Sequence, residues 1–312
     1  MILLTGAAGY IGSHIFHEFK KKRVKILGID NFSTNNLKNK YTKYILKLDI
    51  DNSPRLKKII KEHKIETVIH AAAMSHPLES LRYKNKYKIN NVVKTKKFIE
   101  ISKSTKVKNF IFFSSSNVYT EKVNGFYNEI NRTKPKNYYG KTKILIETLL
   151  TKNKNFFKNL YFLRLFNVAG YYSDFRYLEN KYLYKRIFNI LQNQLGKKNF
   201  FKLYYYTKKK KVLFPERDFI HIKDFNFLLL KIISKFDKNS NFKIYNVGSG
   251  KSTNIKKLIK IYEIRFKNKI KYKMMKINKI ELRNVCANIK KVKSELSWKP
   301  KRNIESIVRS YI

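Results

Sequence analysis

A chain of 312 residues, 43% of them hydrophobic, has the length for one large α/β domain, or for a nucleotide-binding domain carrying a smaller lobe, and enough apolar side chains to fill a core. No run of about 18 apolar residues argues for a membrane span, the first residues show no secretory signal, and Cys286 is the only cysteine, so no intramolecular disulfide or cysteine-based zinc site is expected and the cytoplasm is the expected location. Lys and Arg (70) outnumber Asp and Glu (21) for a net charge of +49, but the excess runs from end to end among many Asn, Ile, Tyr and Phe, which share A+T-rich codons with Lys, so compositional bias is favoured over a specific nucleic-acid partner.

Short apolar runs at 2–5, 24–29, 67–70, 110–114 and 160–166 read as buried strands, with amphipathic stretches such as 11–22 and 139–151 between them. This alternation predicts right-handed βαβ units and a Rossmann-like, doubly wound parallel sheet. After Gly170 the pattern breaks. Residues 171–214 are rich in Lys, Tyr and Asn and keep little periodicity, and the apolar pattern resumes at 219–234 and 244–247. The expected organisation is a nucleotide-binding Rossmann domain over 1–170, to which 215–250 returns in part, and a smaller, interleaved C-terminal substrate-binding lobe over 171–312. The lysine run at 208–211 reads as a solvated loop.

Thr5-Gly6-Ala7-Ala8-Gly9-Tyr10-Ile11-Gly12 follows the first apolar run and opens a helical stretch. There the first glycine allows a sharp turn, the second lets the backbone approach a pyrophosphate, and the third lets helix and strand pack closely. The helix N-terminus adds N–H groups and a positive dipole end. The spacing is G-x-x-G-x-x-G, and such a triad also occurs in an ordinary strand–turn–helix; the flanking strand makes dinucleotide binding the stronger reading. Asp30 ends the second strand. It can accept hydrogen bonds from both adenosine ribose hydroxyls and repel a 2′-phosphate, favouring NAD over NADP, or it can simply cap a turn. Asp49-Ile50, after the third strand, would border the adenine.

Tyr139 and Lys143 stand four residues apart on a helical stretch and share a face. A phenol is a poor base at neutral pH, and an ammonium beside it stabilises the phenolate. Surface Tyr–Lys pairs are common in a chain with 22 tyrosines. The pair gains weight from Ser114-Ser115-Ser116, which ends a predicted strand, the edge where open α/β sheets bind ligands. Tyr138 has Thr142 at its i+4 position and no such partner. His70 reads as a core residue and His221 as one that orders the lobe, and no spacing suggests a metal site.

The stretches LLTGAAGYIGSH, GIDNFS, ETVIHAAA, KINNV, VKNFIFFSSSNVY, YYGKTK, LRLFNVAG, RDFIHIKD, IYNVGSG and SELSWKP span nearly the whole chain. By them it resembles the extended short-chain dehydrogenase/reductase family and, within it, the UDP-glucose 4-epimerases. The resemblance implies NAD-dependent epimerisation at C4 of a UDP-hexose (UDP-glucose or UDP-galactose) through a transient 4-keto sugar, in galactose metabolism. It implies Ser115, Tyr139 and Lys143 as the catalytic residues. Gly6, Gly9, Tyr10, Ile11, Gly12, Asp30, Asn31, Asp49, Ile50, Ala71, Ala72, Asn90, Tyr139, Lys143 and Phe166 would surround NAD. Ser115, Tyr139, Asn167 and Arg217, with part of 171–183, would face the UDP-sugar. It also implies a homodimer joined through helices near 85–103 and 139–152, with Ile89, Val92, Val93, Phe98, Ile144, Leu145 and Thr148 at the seam.

The chain departs from the family pattern at Thr120, at Tyr138, and at Asn278-Lys279-Ile280-Glu281, where an Arg-x-Gly-Asp stretch normally gives the nucleotide an arginine. Other nucleotide-sugar epimerases or dehydratases of the family stay open, although Ser115-Ser116-Asn117 lacks the carboxylate a 4,6-dehydratase needs. A degenerate NAD-binding fold and a polyanion-binding protein are the readings of another class. The joint presence of Ser115, Tyr139 and Lys143 disfavours the first, and the dispersed charge disfavours the second.

Overall fold

The computed structural model describes residues 1–33, 42–122, 125–172, 187–195, 200–236, 241–277 and 282–311. In chain order the strands are β1 (Ile2–Thr5), β2 (Ile26–Asp30), β3 (Ile45–Lys47), β4 (Thr67–His70), β5 (Asn109–Ser115), β6 (Phe126–Tyr127), β7 (Asn159–Leu165), β8 (Asn167–Ala169), β9 (Phe201–Lys208), β10 (Lys211–Leu213), β11 (Glu216–His221), β12 (Asn241–Val247), β13 (Ser252–Asn254), β14 (Tyr272–Lys276) and β15 (Asn284–Ala287). The chain forms two compact units. The first comprises 1–119, 132–165 and 230–245, and the second 120–131, 166–229 and 246–312. The sequence pattern groups 1–170, and in part 215–250, with the nucleotide-binding part, whereas 120–131, 166–170, 215–229 and 246–250 pack in the second unit, so that only 230–245 returns to the first.

The first unit is built on a seven-stranded sheet in the order β12-β7-β5-β4-β1-β2-β3. Neighbours from β3 to β7 run parallel. β1, β4 and β7 are buried along their whole length, which is why they read as unbroken apolar runs: helices cover both faces, so no polar alternation is needed. Leu3, Ile29, Val68, Phe110 and Phe162 from the strands meet Leu56, Ile60, Phe98, Ile99, Ile146 and Leu150 from the helices in one core. The winding order reverses between β1 and β4, the position where doubly wound sheets open a ligand crevice beyond their C-terminal strand ends.

Helix Tyr10–Lys21 starts directly after the glycine turn. Helix Ser53–Glu62 starts at an Asn52 cap, whose side chain accepts from the Arg55 N–H. Between β4 and β5 the chain forms a helix at Lys84–Lys88, a π-helical turn at Ile89–Val93 and a helix at Lys94–Ser104. Helix Tyr138–Lys152 starts from an Asn137 cap that accepts from the Gly140 N–H at 2.8 Å.

In the second unit β11 pairs in parallel with β8 and β15 and antiparallel with β13, and β9 lies between β10 and β14. Helices Ile187–Gln194, Ile255–Phe266 and Ile304–Arg309 close a core of Phe188, Leu191, Leu203, Phe219, Leu258, Tyr262 and Ile307. Buried Asp218 organises its centre by accepting from the N–H groups of Ser249 (2.6 Å), Gly250 (3.0 Å) and Ala287 (3.0 Å). Lys209 and Lys210 form the exposed turn between β9 and β10, while Lys208 and Lys211 end those strands. Among the described residues no helix is long and apolar enough to cross a membrane.

Candidate active site

At the switch point of the first unit lies a cleft of about 540 Å³, counting its open mouth. It is lined by Gly6, Gly9, Asp30, Asn31, Ser33, Leu48, Asp49, Ile50, Ala71, Ala72, Ala73 and Asn90. Gly6 adopts φ +69°, and a Cβ there would come within 2.7 Å of the Ala72 nitrogen. A Cβ on Gly12 would stand 2.0 Å from the Gly6 carbonyl oxygen, so the helix seats on the loop only without a side chain at that position. Tyr10, Ile11 and Gly12 do not line the cleft. They form the first turn of the helix, which has Gly9 as its N-cap and no acidic residue to oppose an anion. A cleft with glycine backbone on one wall and carboxylates on the other suits a dinucleotide.

Asp30 divides its carboxylate between the Ala8 N–H (2.9 Å to Oδ2) and the Phe32 N–H (2.8 Å to Oδ1). It thus caps its own turn and also lines the cleft, which joins the two sequence readings, since each oxygen can accept a further bond. Burial pushes the Asp30 carboxyl above its ordinary value, with the Asp49 charge adding to the rise and the N–H groups of Phe32, Ala8 and Gly9 opposing it. Asp49 moves the other way. Burial raises it, but hydrogen bonds from Lys94 and Asn31 and the Lys94 charge outweigh that and leave it below the usual carboxylate range.

Ser115 ends β5, and helix Tyr138–Lys152 packs against that strand. The two are also tied by polar groups that no motif singled out. Asn117 donates to Ser115 Oγ from its backbone N–H and its side chain, both at 3.2 Å, and accepts at 2.9 Å from Asn137, the cap of the helix. Tyr139, in the first turn, donates its N–H to Ser80 Oγ at 2.9 Å and packs with Met74 and Tyr87. Tyr139 and Lys143 are both buried, so their shared face is the inward one, and the surface-pair reading falls away.

Lys143 Nζ donates to the Phe113 carbonyl at 2.7 Å and lies 4.8 Å from the Phe112 ring centroid and 5.8 Å from that of Tyr139. Burial drives its ammonium down to about 7, and Glu147, one helical turn on, works against that fall. Glu147 is itself buried. It accepts from Ser114 Oγ at 2.5 Å and from Arg164 through Nε (3.1 Å) and Nη2 (2.7 Å), while Arg164 also donates to Tyr119 Oη at 3.1 Å. This bidentate pair fixes the helix to β5 and β7.

His70 is a core residue, as expected. Its ring lies 2.8 Å from Thr5 Oγ1 and 3.2 Å from Thr95 Oγ1, and Thr5 Oγ1 accepts from the Ala72 N–H at 3.2 Å. Burial, with Lys143 nearby, lowers His70 to about 3, so the ring is neutral and serves to hold the Ala71-Ala72 turn at the cleft.

The model of the NAD dependent epimerase/dehydratase family matches residues 2–248. The chain belongs to this family. Among relatives, it is 27% identical to the UDP-glucose 4-epimerase of Pasteurella multocida (strain Pm70), covering 99% of this chain and 95% of that one. It is 28% identical to the enzyme of that name from Halalkalibacterium halodurans, covering 96% and 90%. Among solved structures, the UDP-glucose 4-epimerase of Bifidobacterium longum in complex with NAD+ and UDP superposes with a TM-score of 0.88 at 24% identity, over 99% of this chain and 96% of that one. The fold is thus the Rossmann type expected of the family.

Three residues that the family resemblance assigns to the site belong to the second unit. Phe166 is buried and donates its N–H to the Val247 carbonyl at 2.9 Å. Asn167, on β8, donates its side-chain amide to the Asp218 carbonyl of β11 at 2.9 Å. Arg217, the residue before Asp218, donates to the carbonyls of Glu216 (3.0 Å) and Arg283 (2.8 Å). Arg283 in turn lies over the Tyr206 ring at 5.3 Å. Asn278–Glu281, 173–183 and the other stretches between the described segments lie outside the described residues. His221 is buried, and its Nδ1 accepts from the Lys223 N–H at 3.0 Å, which orders the start of the following helix.

Proposed function

We propose that this protein interconverts the C4 epimers of a UDP-hexose, UDP-glucose and UDP-galactose, using NAD held in the cleft of the first unit, as an epimerase of cytoplasmic galactose metabolism. The single observation that carries the reading is the buried Tyr139–Lys143 face, tied through Asn137 and Asn117 to Ser115 at the C-terminal edge of a dinucleotide-type sheet. Relatives named UDP-glucose 4-epimerase match it along nearly all of its length.

Gly6, Gly9, Asp30, Asn31, Asp49, Ile50, Ala71, Ala72 and Asn90 hold the dinucleotide in this reading. When bound, NAD supplies a reversible acceptor for the hydrogen on C4. Tyr139 as phenolate removes the 4-hydroxyl proton, with Ser115 bridging the two oxygens, and the sugar becomes a 4-ketone. After the ring presents its other face, Tyr139 returns the proton to the C4 oxygen and hydrogen returns to the carbon, so atoms and electrons balance over the cycle. Lys143, protonated, stabilises the phenolate. The family resemblance assigns Asn167 and Arg217 to the sugar nucleotide.

The same reading makes the protein a homodimer. Support comes from Ile89, Val93 and Leu145, which are 46%, 41% and 53% exposed on helical segments that pack side by side in the first unit. Phe98 is excluded from that seam because it is fully buried in the core, and Val92 also packs inward. Incubation with UDP-galactose alone tests the function: UDP-glucose forms until equilibrium, and acid extraction of the protein releases NAD. Absence of turnover on both UDP-hexoses would overturn the assignment.

A further inference from the structure

Asn90 lines the cleft, and Lys94 follows four residues later, at the start of helix Lys94–Ser104 and just beyond the π-helical turn. Positions four apart fall close to the same side of a helix. The Lys94 ammonium hydrogen-bonds Asp49 Oδ2 and stands 3.8 Å from Asp51 Oδ1. Asn31 donates to the same Asp49 oxygen at 2.8 Å. Lys94 and Asp49 side chains are 23% and 27% exposed, so water screens them only in part.

We propose that Lys94 is a positioning residue of the cleft: it cancels the charge of Asp49 and, with Asn31, pins that carboxylate by a single oxygen. The inference rests on the reading that the cleft holds NAD, and it adds to that reading a residue no motif marks. Asp30 and Asp49 both line the cleft. With neither balanced, two carboxylates would face a ligand that itself carries a negatively charged pyrophosphate, a repulsive arrangement in a partly desolvated site. With Lys94 in place, the Asp49 charge is balanced, and of the two cleft-lining carboxylates the Asp30 charge is the one left to face the ligand. The turn geometry before Lys94 delivers the ammonium to Asp49 and Asn90 to the cleft wall.

The test measures NAD retained per chain after dialysis, and NAD affinity of the stripped protein, at low and high salt. Lys94→Met lowers affinity about tenfold, most at low salt, while Lys94→Arg stays near wild type. Lys94→Gln keeps a donor without the charge and behaves like Lys94→Met. Measured against Asp49→Asn alone, adding Lys94→Met costs little further affinity, because the carboxylate that needed balancing is gone; a purely structural ion pair would shift unfolding midpoints and leave the NAD affinity of the folded protein unchanged. Unfolding midpoints show which variants stay folded, and Lys94→Gln serves if Lys94→Met does not. Wild-type affinity in folded Lys94→Met or Lys94→Gln overturns the proposal and leaves the NAD reading standing, as does an equal loss from the Lys94 change in the wild-type and Asp49→Asn backgrounds. A wild-type protein that retains and binds no dinucleotide overturns both.

Discussion

Arg164→Met should destabilise the protein far more than an ordinary ion-pair deletion. The Arg164 and Glu147 side chains are 6% and 7% exposed, and the pair is bidentate, with contacts of 3.1 and 2.7 Å. Removing one partner leaves a buried carboxylate with Ser114 as its remaining hydrogen-bond donor, and breaking a buried pair typically costs about 3–5 kcal/mol. At about 1.4 kcal/mol per decade, that lowers the folded-to-unfolded ratio by roughly two to three and a half orders of magnitude. Urea unfolding gives the number directly. The double variant Arg164→Met with Glu147→Leu should regain most of the loss, because no unpaired charge stays behind. Glu147→Gln has a second consequence. It removes the charge that holds Lys143 up, so the Lys143 ammonium falls further below about 7 and the activity optimum moves to lower pH. A single-variant cost under about 1 kcal/mol, or a double-variant cost equal to the sum of the singles, would refute the reasoning.

Tyr139→Phe should cut turnover by about 10²–10⁴-fold while retaining bound NAD, since the phenol is the proposed base and its ring still fills the space; Tyr138→Phe is the control and keeps activity, as steady-state rates and nucleotide extraction will show. His70 is held near 3 in the folded chain against an ordinary 6.5, so below pH 6.5 the unfolded chain takes up a proton that the folded one refuses. Stability is therefore present above about 6.5 and lost as pH falls toward about 3, at up to about 1.4 kcal/mol per unit, and His70→Gln should flatten urea midpoints compared at about pH 7 and about pH 5. Leu145→Glu, at an exposed position on the proposed seam, should convert a particle of twice 37.4 kDa into a monomer by light scattering at high salt.

Much of the first unit was legible because its signals are local. β1, β4 and β7 are unbroken apolar runs, the glycine turn sits between a strand and a helix, and Tyr139 and Lys143 are one turn apart. What stayed hidden depends on partners distant in sequence. Nothing near Ser115 announces that Asn117 and Asn137 connect it to a helix cap, and Glu147 meets Arg164 only once β7 lies beside β5. Lys94 was one lysine among many until the fold set it on Asp49. Phe98 was misplaced by apolar identity alone: beyond the π-helical turn it is fully buried in the core, while Ile89 and Val93 of that turn are exposed. In β9 the alternation of Phe201, Lys202 and Leu203 dissolves into three consecutive tyrosines, which hid the strand.

The most direct test of the central claim follows the hydrogen on C4. UDP-galactose deuterated at C4, incubated with the holoprotein, should yield UDP-glucose that keeps the label at C4, because the hydrogen leaves one face and returns to the other without meeting solvent. Loss of the label to water, with conversion still occurring, would contradict transient oxidation at C4.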